Sequence, residues 1–156
     1  MIHVPQAKDE CLLAAYAMTC DLNYRDVRTY ALDIARRLGH RSWSDLIIYD
    51  TPEKFWHAFG ELTQYFTPDF GPESRAGLAP CGPRARSIVC LACSRQGDVW
   101  YHAVARDEDG SLWDPDPDGP GRGETVEELT ARYAAVGIDV HVAYTLPTPT
   151  PTPTRE

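Results

Sequence analysis

Gln6-Ala-Lys-Asp-Glu-Cys11-Leu-Leu-Ala-Ala-Tyr-Ala-Met18 starts polar and turns continuously apolar after Cys11. A run of this length and composition reads as a helix that opens near Asp9 or Glu10 and buries Leu12, Ala15, Tyr16 and Met18. About ninety residues later, Trp100-Tyr-His102-Ala-Val-Ala reads as a strand rich in aromatic and β-branched residues. A turn follows, then Leu112-Trp-Asp114-Pro. Helices early and strands late give an α+β domain whose sheet is antiparallel.

The intervening segments agree. Asn23 is placed to cap a helix carrying Val27, Tyr30, Ala31, Ile34 and Leu38, with Gly39 as its stop. Thr51-Pro52 predicts a cap followed by proline at the first helical position, and Phe55, Phe59 and Leu62 form one face of that helix. Pro68 to Pro83 reads as loop. Ser87–Ser94, Val99–Arg106 and Ser111–Asp114 read as strands, and Asp116 to Gly123 as loop. Thr125-Val-Glu-Glu128 is a capping box for a helix ending at Gly137, with a last strand over Ile138–Leu146. The domain therefore spans 1–146, and the Pro/Thr-rich tail 147–156 is expected to be extended and unpacked.

The chain has 156 residues, 43% of them hydrophobic and 24% charged, which suits a single domain with one real core. The net charge of −8 and the lack of a Lys/Arg cluster argue against nucleic acid as a partner. No apolar run reaches the ~18 residues of a membrane helix, and the acidic Asp9-Glu10 pair argues against a signal peptide. Five cysteines at irregular spacing argue against a disulfide framework and for a reducing cytoplasm, bacterial or that of an infected host. Cys90-Leu-Ala-Cys93 has half of a zinc spacing, but in a strand its two thiols face opposite sides and no second pair follows. It reads as core. No metal or cofactor is expected. His3, His40, His57 and His141 have no neighbours at ligand spacing, and Trp43, Trp56 and Tyr65 read as core aromatics.

Cys11, His102 and Asp114 are the residue types of a thiol nucleophile, its base, and the group that orients the base. A helix N-terminus lowers a thiol pKa and offers unpaired N–H groups to an oxyanion. Asp9 and Glu10 oppose that effect, so an imidazolium at His102 must outweigh them. The turn Asp107-Glu-Asp-Gly110 can close in several ways. A two-residue loop, Asp109-Gly110, pairs Ala105 with Asp114 and separates the faces of His102 and Asp114. A three-residue loop, Glu108 to Gly110, pairs Val104 with Asp114 and places both on one face, with glycine at the left-handed position.

In order and spacing, Gln6, Cys11, Ala14, Met18, His102-Ala-Val104 and Asp114-Pro-Asp-Pro-Asp-Gly119 resemble papain-like cysteine peptidases. The resemblance is strongest to bacterial peptidases that cleave double-glycine leaders from bacteriocin precursors, and it spans residues 3 to 146. It implies a papain-like fold, with Cys11 as nucleophile, His102 as base and acid, Asp114 as orienting residue and Gln6 as an oxyanion donor. The chain departs from that family in placing Gln6 five residues before the cysteine and Leu12 where glycine usually follows it. The expected activity is hydrolysis of a peptide, isopeptide or side-chain amide bond in a peptide or protein substrate. The alternatives are an acyl transferase on the same scaffold and a non-catalytic binding protein.

Overall fold

The computed structural model describes residues 1–68 and 86–147. Cys81, nearly all of the expected Pro68–Pro83 loop and the tail beyond Pro147 lie outside them.

The apolar run after Cys11 forms α1 (Cys11–Thr19), and every residue from Leu12 to Thr19 is buried. A helix apolar all round must sit inside the molecule, and α1 packs on the sheet and on α2 (Tyr24–Arg37). Glu10 occupies the N-cap of α1 but gives it no side-chain hydrogen bond, contrary to the expected acidic cap. Its carboxylate instead accepts from Arg28 at 2.8 Å and from Tyr24 at 3.0 Å, which draws that charge away from Cys11.

Asn23 caps α2 by accepting from the Asp26 N–H, and Gly39 ends it at a φ of +88°, as expected. A short helix, α3 (Trp43–Tyr49), follows where the sequence reading had none. Ser42 caps it by accepting from the Asp45 N–H. Thr51 then caps α4 (Pro52–Phe66), with proline in the first turn.

The sheet is antiparallel, in the order β3-β2-β1-β4, built from β1 (Ser87–Arg95), β2 (Asp98–Arg106), β3 (Leu112–Trp113) and β4 (Asp139–Pro147). Thr125 and Glu128 complete the capping box of α5 (Val126–Ala134). Among the described residues the chain is thus α+β, with five helices and one four-stranded antiparallel sheet. Helices α1 to α4 cover one face, where Ile88, Cys90, Ala103, Ala105 and Leu146 join the main core. Helix α5 covers the other, packing Leu129 and Tyr133 on Val89, Leu91, Cys93 and Val104.

Two irregularities in this sheet shape the site. Strand β3 pairs with Ala105 and Arg106, so among the described residues no strand pairs with the upstream part of this edge of β2. In β4, Cys90 faces Tyr144 while Leu91 faces Val142, so Ala143 is an extra residue. Such a bulge reverses the alternation. Val140 stays on the α5 side, while Tyr144 and Leu146 turn to the α1 side. No helix among the described residues is long and apolar enough to cross a membrane.

Candidate active site

The β2–β3 hairpin pairs Ala105 with Trp113 and Arg106 with Leu112, and the Asp107 N–H bonds the Ser111 carbonyl. The loop is therefore the three-residue one, and Gly110 takes a φ of +84°. This register places Asp114 opposite Val104, on the face of His102. His102 Nε2 hydrogen-bonds Asp114 Oδ1 at 2.7 Å. Nε2 being so engaged, Nδ1 is the nitrogen left for Cys11, whose thiol hydrogen-bonds His102.

Cys11 stands at the first position of α1, against the upstream part of that edge of β2, where the Ala103 N–H also hydrogen-bonds its sulfur. Burial pushes the Cys11 thiol up, but the hydrogen bond and charge of His102, with the Ala103 and Leu12 N–H groups, bring it below its ordinary value. For His102, burial disfavours the imidazolium, and the hydrogen bonds and charges of Asp114 and Cys11 overcome it and raise its pKa. A thiolate–imidazolium pair is the state these groups favour together. The other described cysteines behave oppositely. Burial first of all pushes Cys20, Cys90 and Cys93 up to about 11.

Asp114 is 1% exposed. Its Oδ1 also accepts from the Asp116 N–H at 2.9 Å. Its Oδ2 accepts from the Tyr133 hydroxyl at 2.6 Å and from Arg132 at 2.9 Å. Burial favours its neutral form, yet His102 above all, and then Tyr133 and Asp116, hold its carboxyl well below the usual carboxylate range. Arg132 also binds Glu124 at 2.7 Å, so the cation is shared between two buried carboxylates. The sequence reading missed Tyr133, Arg132 and Glu124. The available signal was Leu129 and Tyr133 at an i, i+4 spacing, since a tyrosine on the inner face of a helix needs a partner for its hydroxyl. His3 hydrogen-bonds the Asp114 carbonyl oxygen through Nε2 at 2.8 Å. His40 pairs with Asp50 at 2.8 Å.

Gln6 sits beside this group through its backbone, donating its N–H to the Pro115 carbonyl at 2.7 Å. Its side chain does not line the pocket at Cys11, and its Oε1 is buried without a hydrogen-bond partner. The structure thus brings Cys11, His102 and Asp114 together, with Gln6 beside Asp114 through its backbone bond to Pro115.

A cavity of about 440 Å³ opens on Cys11 and His102. Leu12, Phe55, Trp56 and Tyr144 give it apolar walls, and Asp9 and Asp50 also border it. Trp56 is thus a wall of this cavity, whereas Trp43 is core as expected and Tyr65 is exposed. Cys90 and Cys93 belong to the cores on opposite faces of the sheet, as two strand residues three apart must. Among the described residues no group of three or more His, Cys, Asp or Glu side chains could hold a metal ion. No family model, curated protein or solved structure matches the chain.

Proposed function

We propose that this chain is a papain-like cysteine hydrolase that cleaves a peptide, isopeptide or side-chain amide bond. The observation that carries the reading is the line Cys11–His102–Asp114, with the 2.7 Å bond from His102 Nε2 to a buried carboxylate at one end and a helix N-terminus at the other. The order of helices before an antiparallel sheet, with the thiol opening the innermost helix, supports a papain-like architecture.

In the reaction, the Cys11 thiolate attacks the carbonyl carbon and the C=O electron pair moves onto oxygen. Backbone N–H groups in the first turn of α1 are the donors placed for that oxyanion. Collapse breaks the C–N bond, and the imidazolium of His102 gives its proton to the departing nitrogen. The acyl group is now a thioester on Cys11. Neutral His102 takes a proton from water as the water oxygen attacks the thioester, and loss of the acid restores the ion pair. Asp114 keeps the ring oriented throughout.

A non-catalytic binding protein on the same scaffold is the alternative reading, and Gln6 is not among the residues that line the cavity. Alkylation separates the two readings. At pH ~6 a thiol of pKa ~8.5 is almost wholly protonated. Treatment of the folded chain with iodoacetamide at that pH, followed by peptide mapping, should modify Cys11 well ahead of Cys81 and the other cysteines. Equal rates at Cys11 and Cys81 would contradict the hydrolase.

A further inference from the structure

Asp114 stands one residue beyond the sheet. Strand β3 is only Leu112–Trp113, and its pairing with β2 ends at Trp113. Pro115 follows and has no N–H to give. Among the described residues, no ladder bond therefore fixes the backbone at Asp114, although its carboxylate has to hold His102 in one orientation. A group with that task depends on whatever supports it from behind.

The N-terminal segment supplies what the ladder does not. His3 Nε2 bonds the Asp114 carbonyl oxygen at 2.8 Å, and the Gln6 N–H bonds the Pro115 carbonyl at 2.7 Å. A carbonyl only accepts, so His3 carries a proton on Nε2. Met1 and Val4, on either side of His3, pack against the main core, and the Ala7 N–H bonds the Tyr24 hydroxyl at 3.0 Å. Gly121 comes so close to the ring that a Cβ on it would lie 3.7 Å from His3 Nδ1. The same segment runs on into α1, where Cys11 is the first residue. Residues 3–11 thus join the two ends of the Cys11–His102–Asp114 line a second time, independently of the imidazole.

We infer that His3 is a positioning residue: its Nε2–H holds the Asp114 backbone so that the carboxylate keeps the His102 imidazole aligned with Cys11. This rests on the hydrolase reading and adds to it a residue of the N-terminal segment. His3 acts through Asp114, so its loss loosens the carboxylate and weakens the bond that favours the imidazolium. The thiolate then loses part of its partner's charge, and Cys11 ionises at a higher pH.

The pH profile of Cys11 alkylation tests this. The full chain and its variants are treated with iodoacetamide across pH, and peptide mapping follows Cys11 alone. His3→Phe keeps a ring and removes the donor. It should move the midpoint of the profile upward by about half a unit to one unit, the worth of one hydrogen bond. His3→Gln puts its amide nitrogen where histidine has Nε2, and should restore the native midpoint. His3→Asn stops one bond short of that position and should behave as His3→Phe, which covers the case in which phenylalanine does not fold. A merely structural histidine would lower resistance to denaturant in these variants and leave the midpoint in place. A native midpoint in folded His3→Phe or His3→Asn overturns the proposal. So does a midpoint that stays high in His3→Gln. Iodoacetamide labelling of the unmodified chain at pH ~6 keeps the underlying reading separate. Selective labelling of Cys11 that is indifferent to His3 removes the positioning role and leaves the hydrolase. Labelling of Cys11 no faster than of Cys81 removes both.

Discussion

Asp114 receives four hydrogen bonds from His102, Asp116, Arg132 and Tyr133 and is almost fully buried. Cys11, at the other end of the same line, is only half-buried, touches His102 and two backbone N–H groups, and faces an open cavity. The contrast separates two jobs. A carboxylate that must hold an imidazole in one orientation is fixed from every side. A nucleophile that must meet a carbonyl carbon needs space in front of it. Stability should therefore reside at the Asp114 end and reactivity at the Cys11 end.

Substitution at the two ends gives the largest difference. Asp114→Ala leaves Tyr133, Arg132 and His102 facing a vacancy, and loss of one partner in a buried ionic group costs about 3–5 kcal/mol. Cys11→Ala removes one small, half-buried side chain and should cost about 1 kcal/mol or less. Chemical denaturation measures both. Equal losses would break the division of labour.

Within the Asp114 end, the two donors from α5 should matter less than the carboxylate itself. Tyr133→Phe removes one hydrogen bond and should cost about 1–2 kcal/mol. Arg132→Gln should cost a comparable amount because Glu124 and Asp114 lose a shared cation. Neither should abolish labelling of Cys11 at low pH, because His102 keeps its bond to Asp114. Abolition in Tyr133→Phe would mean that the ring is oriented by the whole network, not by the carboxylate.

The pH dependence of stability sharpens the comparison further. The raised pKa of His102 contributes stability that is full below its ordinary 6.5 and lost as pH rises through the folded-state value. The lowered pKa of Cys11 contributes stability present above its ordinary 9.0 and lost as pH falls through its folded-state value. Where the folded pair holds thiolate and imidazolium while the unfolded pair holds thiol and neutral imidazole, each state binds one proton and the two trends cancel. The pair's contribution, read as the difference between the chain and its Cys11→Ala/His102→Ala form, should be flat there and fall on either side. A slope at every pH between the two ordinary values would contradict the thiolate–imidazolium pair. Asp114, whose pKa is lowered, adds stability that is lost as pH falls below its ordinary 3.8.

The smallest effect belongs to Gln6. Its Oε1 is a buried acceptor without a partner, so Gln6→Leu should be neutral or slightly stabilising. A loss above about 1 kcal/mol would show that the amide is satisfied after all.

What the sequence disclosed follows from how local each signal is. Asn23, Thr51-Pro52 and the Thr125–Glu128 capping box act within one helical turn, and all three helices start where those residues stand. Gly110 determined the hairpin register, and with it the meeting of His102 and Asp114, because a left-handed residue at that position suits the three-residue loop. The same kind of signal starts α3, where Ser42 caps through the Asp45 N–H. Other features had no local signature. The bulge at Ala143 depends on how β4 lies against β1, so Tyr144 could not be assigned to the cavity from the alternation of its neighbours. Arg132 and Tyr133 reach Asp114 only because α5 packs on the far face of the sheet. Trp56 looked like core because its apolar surface has the same pattern whether it faces a neighbour or a pocket. Gln6 shows the opposite limit. It matches the expected order in sequence, yet a backbone bond to Pro115 carries it beside Asp114 and not into the cavity.

The central claim is the thiolate–imidazolium pair, and titration of the Cys11 thiolate by its ultraviolet absorbance tests it most directly. The difference between the native chain and Cys11→Ser isolates the one sulfur. The native chain should hold a thiolate at pH ~6, far below the ordinary value of 9.0. In His102→Ala the same titration should move to 9.0 or above, since burial then acts on the thiol without the imidazolium to oppose it. A native Cys11 that ionises only at 9.0 or above in the folded chain would contradict the ion pair, and the hydrolase with it.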